Sequence, residues 1–332
     1  MEPQQQVQQS DVRFFAGRSN PELAAGITGF LGIQLEETHF SRFSNDNLEV
    51  QLGASVRGRS VYIVQSLTPP VSDHLMELFM MLDIARGAGA RERHAIIPYY
   101  SYARSDKKDA PRISIAARLI ADLLAAAGAT HVMTMQLHSP QVHGFFSVPA
   151  DPLTARPLFA RYFEDKRFSR DEAIVVAPDM GGAKSATRFA DLLGLRSTAA
   201  NKTRLSDTEV RMSRLIQRQV HGFRRALIYD DEIATGSTIL ELCQLLLESD
   251  VEEIYVICTH GLFMGTALPR LTAIPQIKEI VTTDTVAIPA AKRVPSMKIL
   301  SVASIFGKAI QRNYARQSIG DLFEYWKDRD EL

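Results

Sequence analysis

The chain has 332 residues, of which 45% are hydrophobic and 23% charged, with 38 basic and 38 acidic side chains. This length predicts two domains with sizeable cores, and the composition excludes collagen-like, low-complexity and mostly disordered chains. Zero net charge argues against whole-surface attraction to nucleic acid or to an anionic membrane, so any anion site must be local. Residues 1–10 lack the basic and apolar regions of a signal peptide. No apolar run approaches the ~20 residues of a membrane span, so we expect a disordered tail on a cytoplasmic protein.

Two halves of the chain resemble each other in the order of their elements. RFFAGRSNPELAAGITGFLGI (13–33) and IVVAPDMGGAKSATRFADLLGL (174–195) each predict a strand, a polar turn, an amphipathic helix and a closing glycine. VYIVQ (61–65) and ALIYD (226–230) are each an apolar strand followed by a helical segment and then by another strand. Because these matches keep an almost constant offset, we infer an internal duplication with a junction near residues 150–160.

The alternation of strands and helices predicts parallel βαβ units in both halves. The strands are short continuous apolar runs, which is typical of strands buried on both faces. We therefore predict an α/β fold with two similar doubly wound parallel-sheet domains. In such sheets ligands bind beyond the carboxyl ends of the strands, so functional residues are expected directly after each strand.

Charged residues follow the strand AIIPYY in the segment YARSDKKDAPRISI (102–115). Arg104, Lys107, Lys108 and Arg112 alternate there with Asp106 and Asp109. This density of charge suits a polyphosphate with its metal ion, and a charged surface loop is the alternative.

Histidine and cysteine residues give no zinc or disulfide signal. His138 follows the strand HVMTMQ, and its distance of five residues from His143 does not match the i, i+4 spacing of a helical zinc site. Cys243 and Cys258 are each flanked by apolar residues. They are predicted to be buried thiols.

A basic segment, ANKTRLSDTEVRMSRLIQRQVHGFRR (200–225), lies between the predicted elements of the second half. Lys202 and Arg204 near its start are candidates for a mobile loop that closes on an anionic substrate. A solvated basic helix is the alternative interpretation.

The most specific motif is LIYDDEIATGSTI (227–239), in which a strand runs into Asp230 and Asp231 and then into TGST (235–238) at a helix start. Small residues at a helix N-terminus let backbone N–H groups and hydroxyls converge on a phosphate. The two carboxylates can accept hydrogen bonds from the vicinal hydroxyls of a sugar that carries this phosphate. The motif predicts a ribose 5-phosphate site, and a capped helix start with two solvated aspartates is the alternative. It resembles the 5-phosphoribosyl diphosphate (PRPP) motif of type I phosphoribosyltransferases, with Ser237 in place of a glycine.

From about residue 13 to residue 323 the chain is similar to ribose-phosphate diphosphokinases, also called PRPP synthetases. The resemblance is carried, in order, by AGRSNPELA, RFSNDN, SVRGRSVYIVQS, IPYYSYARSDKKD, LHSPQVHGFF, APDMGGAKSA, NKTR, DDEIATGST and IVTTDT. It implies a domain on the ATP side (11–155), a domain on the ribose 5-phosphate side (156–304) and a helical segment (305–332) that packs on the first domain.

The resemblance also implies roles for individual residues. The implied ATP-binding residues are Phe43, Asn45, Asn47, Arg104, Ser105, Lys107 and Asp109. The implied catalytic residues are Lys202, Arg204 and His138, and the implied Mg²⁺ contacts are His138 and Asp179. The implied ribose 5-phosphate-binding residues are Asp230, Asp231, Ala234, Thr235, Gly236, Ser237 and Thr238. Departures from the commonest family pattern are Ser105 for Gln, Gln136 for Asp, Asn47 for Glu and Ala234 for Asp.

The activity implied is transfer of the β,γ-diphosphoryl group of Mg-ATP to the C1 hydroxyl of ribose 5-phosphate, which gives PRPP and AMP. GGAKS (181–185) lacks the pattern of a Walker A motif, so the ATP site is not expected to be a P-loop. Because Phe43, Asn45 and Asn47 fall where the family reaches the adenine of a neighbouring subunit's ATP, the resemblance implies a homo-oligomer, as a dimer or an assembly of dimers with shared ATP sites. A PRPP-consuming phosphoribosyltransferase and an inactive regulatory paralogue are the alternatives.

Overall fold

A computed structural model describes residues 6–204, 210–212 and 215–323, and for residues 202–204 and 210–212 it describes the backbone alone. The chain divides into two compact units. Unit 1 runs to Thr154 and also contains Thr285–Ala287 and the residues from Ser301 onward. Unit 2 contains Ala155–Asp284 and Ile288–Leu300.

Unit 1 is built on a parallel six-stranded sheet. The strands of the unit are β1 (Val12–Ala16), β2 (Leu35–Glu36), β3 (Thr38–Arg42), β4 (Leu48–Leu52), β5 (Ser60–Val64), β6 (Glu92–Ile97), β7 (His131–Met135) and β8 (Ala150–Leu153). Its first three helices are α1 (Pro21–Leu31), α2 (Val71–Gly87) and α3 (Ala116–Ala127). The sheet has the order β2-β1-β5-β6-β7-β8, while β3 and β4 form a separate antiparallel hairpin.

Unit 2 repeats this architecture. Its strands are β9 (Ala173–Ala177), β10 (Arg196–Ala199), β11 (Lys202–Arg204), β12 (Val210–Met212), β13 (Arg225–Ile233), β14 (Glu253–Gly261), β15 (Ile277–Thr283) and β16 (Met297–Leu300). Its helices are α4 (Arg156–Glu164), α5 (Ala183–Leu193), α6 (Leu215–Val220), α7 (Ser237–Leu247) and α8 (Ala267–Thr272). The parallel sheet has the order β10-β9-β13-β14-β15-β16, which matches unit 1 strand for strand. The predicted fold class of two doubly wound parallel-sheet domains is confirmed.

Local signals explain why the matching helices begin and end where they do. Asn20 caps α1, because its side-chain oxygen accepts a hydrogen bond from the backbone of Leu23 at 3.2 Å. Gly32 and Gly194 end α1 and α5 with φ values of 68° and 67°, a left-handed conformation that glycine adopts at low cost. The two closing glycines predicted from the duplication are therefore confirmed.

Strands β5 and β9 are buried at every position, as their continuous apolar sequences predicted, and β7 is also buried throughout. Cys243 and Cys258 are both buried in the core of unit 2. Burial raises the pKa of the Cys243 thiol to about 12, so this thiol stays protonated and unreactive.

The chain after Ser301 belongs to unit 1 and contains helix α9 (Ala303–Tyr314), which packs against α1. Gly307 allows this approach, because a Cβ there would lie 2.2 Å from the ring of Phe30. The resemblance implies a second domain of residues 156–304, whereas residues 301–304 and Thr285–Ala287 belong to unit 1. Thr285 lies in unit 1, where its carbonyl accepts a hydrogen bond from the Ser66 hydroxyl at 2.6 Å.

The predicted disordered tail is wrong for residues 6–10, and residues 1–5 lie outside the described residues. Val7 is buried. The carbonyl of Gln9 accepts a hydrogen bond from Arg13 at 2.7 Å, and its side chain contacts Glu36 of β2. These contacts fasten residues 7–9 to the edge of the sheet.

No helix in the described ranges is both long enough and apolar enough to cross a bilayer.

Candidate functional site

The acidic pair of unit 2 lies at the carboxyl end of β13, which continues beyond the predicted strand and includes both carboxylates. The backbone N–H of Asp231 donates to the carboxylate of Asp230 at 2.9 Å. Desolvation raises the pKa of Asp230 well above its ordinary value, and the charge of Asp231 adds to this effect, with a smaller contribution from Asp179. Asp231 and Asp179 thus act electrostatically on Asp230 at this edge of the sheet.

Asp179 follows β9 in the turn that leads into α5. Its carboxylate accepts a hydrogen bond from the backbone of Gly182 at 3.0 Å. A Cβ at Gly181 would lie 3.2 Å from the same carboxylate oxygen. The two glycines therefore let the backbone wrap closely around the Asp179 side chain, which fixes its position at the end of the strand.

A loop of small residues connects β13 to α7. Gly236 has a φ of 72°, which favours glycine, and it precedes the helix without a side-chain cap. The hydroxyls of Thr235 and Ser237 lie 3.3 Å apart and both residues are exposed. The backbone of Met264 anchors the loop, because its N–H donates to the carbonyl of Ala234 at 2.8 Å. The first turn of α7 thus presents backbone and hydroxyl donors for an anion.

In unit 1 the charged loop follows β6 and a short 3-10 turn, Ser101–Arg104. The side chains of Arg104, Lys107 and Asp109 are exposed. Ser105 is held through its carbonyl, which accepts a hydrogen bond from the backbone of Ala117 at 3.2 Å. The predicted cationic segment is therefore presented at the carboxyl edge of the sheet.

Asp106 joins this loop to the loop that follows β7. Its carboxylate accepts hydrogen bonds from Ser139 and Gln141, both at 2.5 Å. Although partial desolvation opposes the change, these bonds lower the pKa of Asp106. Sequence analysis placed Asp106 among the charges of its own loop and missed Ser139 and Gln141.

His138 lies in the loop after β7 and is exposed. Gln136, two residues earlier, is 4% exposed and has a φ of 43°. Its side-chain oxygen accepts a hydrogen bond from the Thr154 hydroxyl at 3.1 Å. The side-chain amide of Gln136, which stands where the family usually has an Asp, thus makes a buried contact within unit 1.

Phe43, Asn45 and Asn47 occupy the tip of the β3–β4 hairpin and are all exposed. The backbone of Phe43 donates to the carbonyl of Asn47 at 2.9 Å. The side chain of Asn45 accepts from the backbone of Asn47 at 3.3 Å. The tip therefore has a defined turn that presents an aromatic ring and two amides to solvent.

Lys202 and Arg204 lie in β11, which pairs with β12 through the registers Lys202↔Met212 and Arg204↔Val210. The segment predicted to be a loop thus contains a short antiparallel hairpin. The side chains of Lys202 and Arg204 lie outside the described residues, as do residues 205–209.

Chemically, the acidic edge of unit 2 fits a magnesium ion that is held together with substrate. Among the residues with described side chains, no three His, Cys, Asp or Glu groups are close enough to form an all-protein metal site. Mg²⁺ prefers oxygen ligands and is usually bound by one or two carboxylates plus substrate phosphates and water. Asp179, Asp230 and Asp231 provide such oxygens.

Two family models match parts of the chain, and together they include residues of both units. Residues 12–128 match the family described as the N-terminal domain of ribose phosphate pyrophosphokinase. Residues 215–324 match the phosphoribosyl synthetase-associated domain.

Similar proteins cover nearly the whole chain. A putative ribose-phosphate pyrophosphokinase from Streptomyces coelicolor is 49% identical over 314 residues, which are 95% of this chain and 98% of that protein. The ribose-phosphate pyrophosphokinase of Deinococcus radiodurans is 42% identical over 95% of this chain and 98% of its own length. The crystal structure of phosphoribosylpyrophosphate synthetase from Mycobacterium smegmatis has a TM-score of 0.85 and 34% identity, and the match covers 92% of this chain and 99% of that one.

Proposed function

Because the chain belongs to the ribose-phosphate pyrophosphokinase family, and is therefore an enzyme that transfers a diphosphoryl group, we propose that it makes PRPP and AMP from ATP and ribose 5-phosphate. The observation that carries this proposal is the acidic pair at the end of β13, followed directly by the uncapped first turn of α7. This arrangement suits a sugar phosphate. The cationic loop of unit 1 suits the second, polyphosphate substrate.

Unit 2 binds ribose 5-phosphate in this proposal. The 5-phosphate accepts hydrogen bonds from the hydroxyls and N–H groups of the loop Ala234–Thr238, at the positive end of α7. The carboxylates of Asp230 and Asp231 accept hydrogen bonds from the vicinal ribose hydroxyls. The sugar is thereby held at both ends, with its C1 hydroxyl oriented for attack on the β-phosphorus of ATP.

Unit 1 binds ATP through the exposed cations Arg104 and Lys107, which neutralise the triphosphate. Ser105 and Asp109 belong to the same loop, and the Asp106 bonds to Ser139 and Gln141 fix this loop against the one that carries His138. The hairpin tip, with Phe43, Asn45 and Asn47, contacts the adenine.

We assign Asp179 and His138 to magnesium contacts. Bound magnesium supplies charge neutralisation and Lewis-acid polarisation at the phosphoryl oxygens. Lys202 and Arg204 are assigned to the charge that develops on the transferred group, where a single well-placed cation is worth ~10³-fold or more in rate.

The proposed assembly is a homo-oligomer, a dimer or an assembly of dimers, in which the hairpin of one subunit reaches the ATP of its neighbour. We also propose a cytoplasmic location, where both substrates are produced.

The test is a reaction of the purified protein with ATP, Mg²⁺ and ribose 5-phosphate, followed by ³¹P NMR. AMP and PRPP in equal amounts are expected. Formation of ADP would instead indicate transfer of a single phosphoryl group. Consumption of added PRPP and free base would indicate a phosphoribosyltransferase, and nucleotide binding without turnover would indicate a regulatory paralogue.

A further inference from the structure

Two sets of side-chain contacts connect helix α2 to strand β3. Asp73 and Glu77 are four residues apart on α2 and so lie on one face of the helix. Phe40 and Arg42 are two residues apart on β3 and so lie on one face of the hairpin. Asp73 contacts Arg42 directly, and Glu77 is linked to Phe40 through Arg18.

The first link begins at Glu77, whose side chain is fully buried. Its carboxylate accepts hydrogen bonds from the Arg18 side chain at 2.5 Å and the Arg18 backbone at 3.2 Å. Gln65 donates to the same carboxylate at 2.7 Å and accepts from the Ser19 hydroxyl at 2.6 Å. A buried carboxylate with this many donors fixes the direction of the Arg18 side chain.

Arg18 then contacts the hairpin. Its guanidinium carbon lies 5.4 Å from the centre of the Phe40 ring, within the range of a cation–π interaction. The Arg18 side chain is 46% exposed, so it bridges the buried Glu77 and the outer hairpin. Arg18 lies two residues after the end of β1, so this link ties the hairpin to the carboxyl edge of the sheet.

The second link is made by Arg42 at the end of β3. Its guanidinium contacts the carboxylate of Asp73 at 2.5 Å and that of Asp46, inside the hairpin turn, at 2.8 Å. Arg42 also donates to the carbonyl of Asp46 at 3.1 Å. One guanidinium thus connects the turn that carries the exposed tip to the first turn of α2.

These links matter because the hairpin does not pair with a strand of either large sheet. In the part of the chain that the structure describes, β3 and β4 pair with each other and with no other strand. An isolated two-stranded hairpin is only marginally stable in water. Its orientation therefore depends on side-chain contacts, including the packing of Phe40 and Leu48 against the core.

We propose that Arg18, Arg42 and Asp73 are positioning residues that hold the β3–β4 hairpin in the orientation in which its tip binds ATP. This inference rests on the proposed function, because that function places Phe43, Asn45 and Asn47 against the adenine. The links act on the binding of ATP through the hairpin. They leave the ribose 5-phosphate site of unit 2 unchanged.

The test compares KM for ATP with KM for ribose 5-phosphate in variants that spare the buried Glu77. Phe40→Leu removes the ring and keeps the Arg18–Glu77 bond, and Arg42→Ala removes the second link. Loss of either link is expected to raise KM for ATP about threefold, and loss of both about tenfold, because contacts of this strength contribute roughly independently. KM for ribose 5-phosphate is expected to stay within about twofold of the parent value.

Two further variants complete the design. Asp73→Asn changes one partly exposed side chain and is expected to reproduce the effect of Arg42→Ala, whereas Arg42→Lys is expected to restore part of the ATP affinity. Arg118→Ala is the matched control, since it removes a comparable exposed pair, Arg118–Asp122, that lies within α3. Hydrogen exchange at the Phe43 amide, which bonds within the turn, is expected to become faster in the hairpin variants and to stay unchanged in the control.

An unchanged KM for ATP in Phe40→Leu/Arg42→Ala would overturn the proposal, as would equal increases in KM for both substrates. These outcomes are distinct from failure of the proposed function. If the parent protein makes no AMP and PRPP, the assignment of activity is wrong, whereas a parent protein that turns over while Asp73→Asn and Arg42→Ala match Arg118→Ala refutes the positioning role alone.

Discussion

His94 and His131 meet in the interior of unit 1 with their Nδ1 atoms 2.9 Å apart. His131 also bonds through Nε2 to the carboxylate of Asp151 at 2.7 Å, and the rings are 4% and 6% exposed. A neutral His94 can donate its Nδ1–H to the Nδ1 of His131 while His131 donates its Nε2–H to Asp151. Glu92 lies 3.7 Å from the Nε2 of His94, beyond hydrogen-bond distance, and this buried nitrogen has no hydrogen-bond partner among the described residues.

This arrangement predicts that acid weakens unit 1. Burial lowers the pKa of His94, and Glu92 offsets only part of this effect. The unfolded chain then binds a proton near pH 6.5 that the folded chain does not, so stability is present above this pH and falls as the pH drops below it. Each unit of pKa difference contributes ~1.4 kcal/mol. Urea unfolding followed by circular dichroism between pH 5 and pH 7.5 measures the effect.

The control for this prediction is a pair of variants. His94→Asn should flatten the dependence of the unfolding midpoint on pH, because the buried titrating group is gone. His221→Asn replaces an exposed histidine of unit 2 and should keep the parent profile. Identical slopes in the parent protein and His94→Asn would show that the acid sensitivity arises elsewhere.

Alanine substitutions at two glycines with the same backbone conformation distinguish an effect on stability from an effect on substrate binding. Gly236 and Gly194 have φ values of 72° and 67°. Alanine at either position should cost about 1 kcal/mol of stability, since a Cβ is disfavoured in the left-handed region. Only Gly236→Ala should raise KM for ribose 5-phosphate, because Gly236 is the N-cap of α7 in the loop proposed to bind the phosphate, whereas Gly194 ends α5. Equal KM values in the two variants would argue against a phosphate site in this loop.

Lys202→Ala and Arg204→Ala should each lower kcat by ~10³-fold if these cations stabilise the charge of the transferred group, with little change in KM for ATP. Arg218→Ala is a suitable control, since Arg218 lies in the same basic segment and is exposed on α6. Single-turnover measurements with radiolabelled ATP would locate the loss in the chemical step. A kcat within about twofold of the parent protein would remove Lys202 or Arg204 from catalysis.

The sequence could predict those features whose residues are adjacent in the chain. The strand, the acidic pair and the small residues of 227–239 are adjacent in the chain, so one local pattern indicates a strand end, a loop and a helix start. The extension of β13 to Ile233 has a different origin, because it depends on pairing with β14 through Glu232↔His260. Pairing between distant segments leaves no local pattern.

Several features that sequence analysis missed depend on contacts over long sequence distances. Asp106 bonds to Ser139, which is 33 residues away, and His94 meets His131 at a separation of 37 residues. Val7 has an unremarkable polar neighbourhood in sequence and is nevertheless buried. In each case the tertiary fold supplies the partner, so hydrophobic periodicity and turn signals carry no information about it.

If the ATP site is shared between subunits, two variants with different defects should recover activity when their subunits are mixed. In this arrangement Lys202→Ala subunits keep an intact hairpin, and Phe43→Ala/Asn45→Ala subunits keep intact catalytic residues. Co-expressed mixtures would then contain sites with an intact hairpin from one subunit and intact catalytic residues from the other. The activity of the mixture should exceed the average of the two parent variants severalfold. If each hairpin instead contacts the ATP of its own subunit, every site retains one defect and the mixture shows only the average activity.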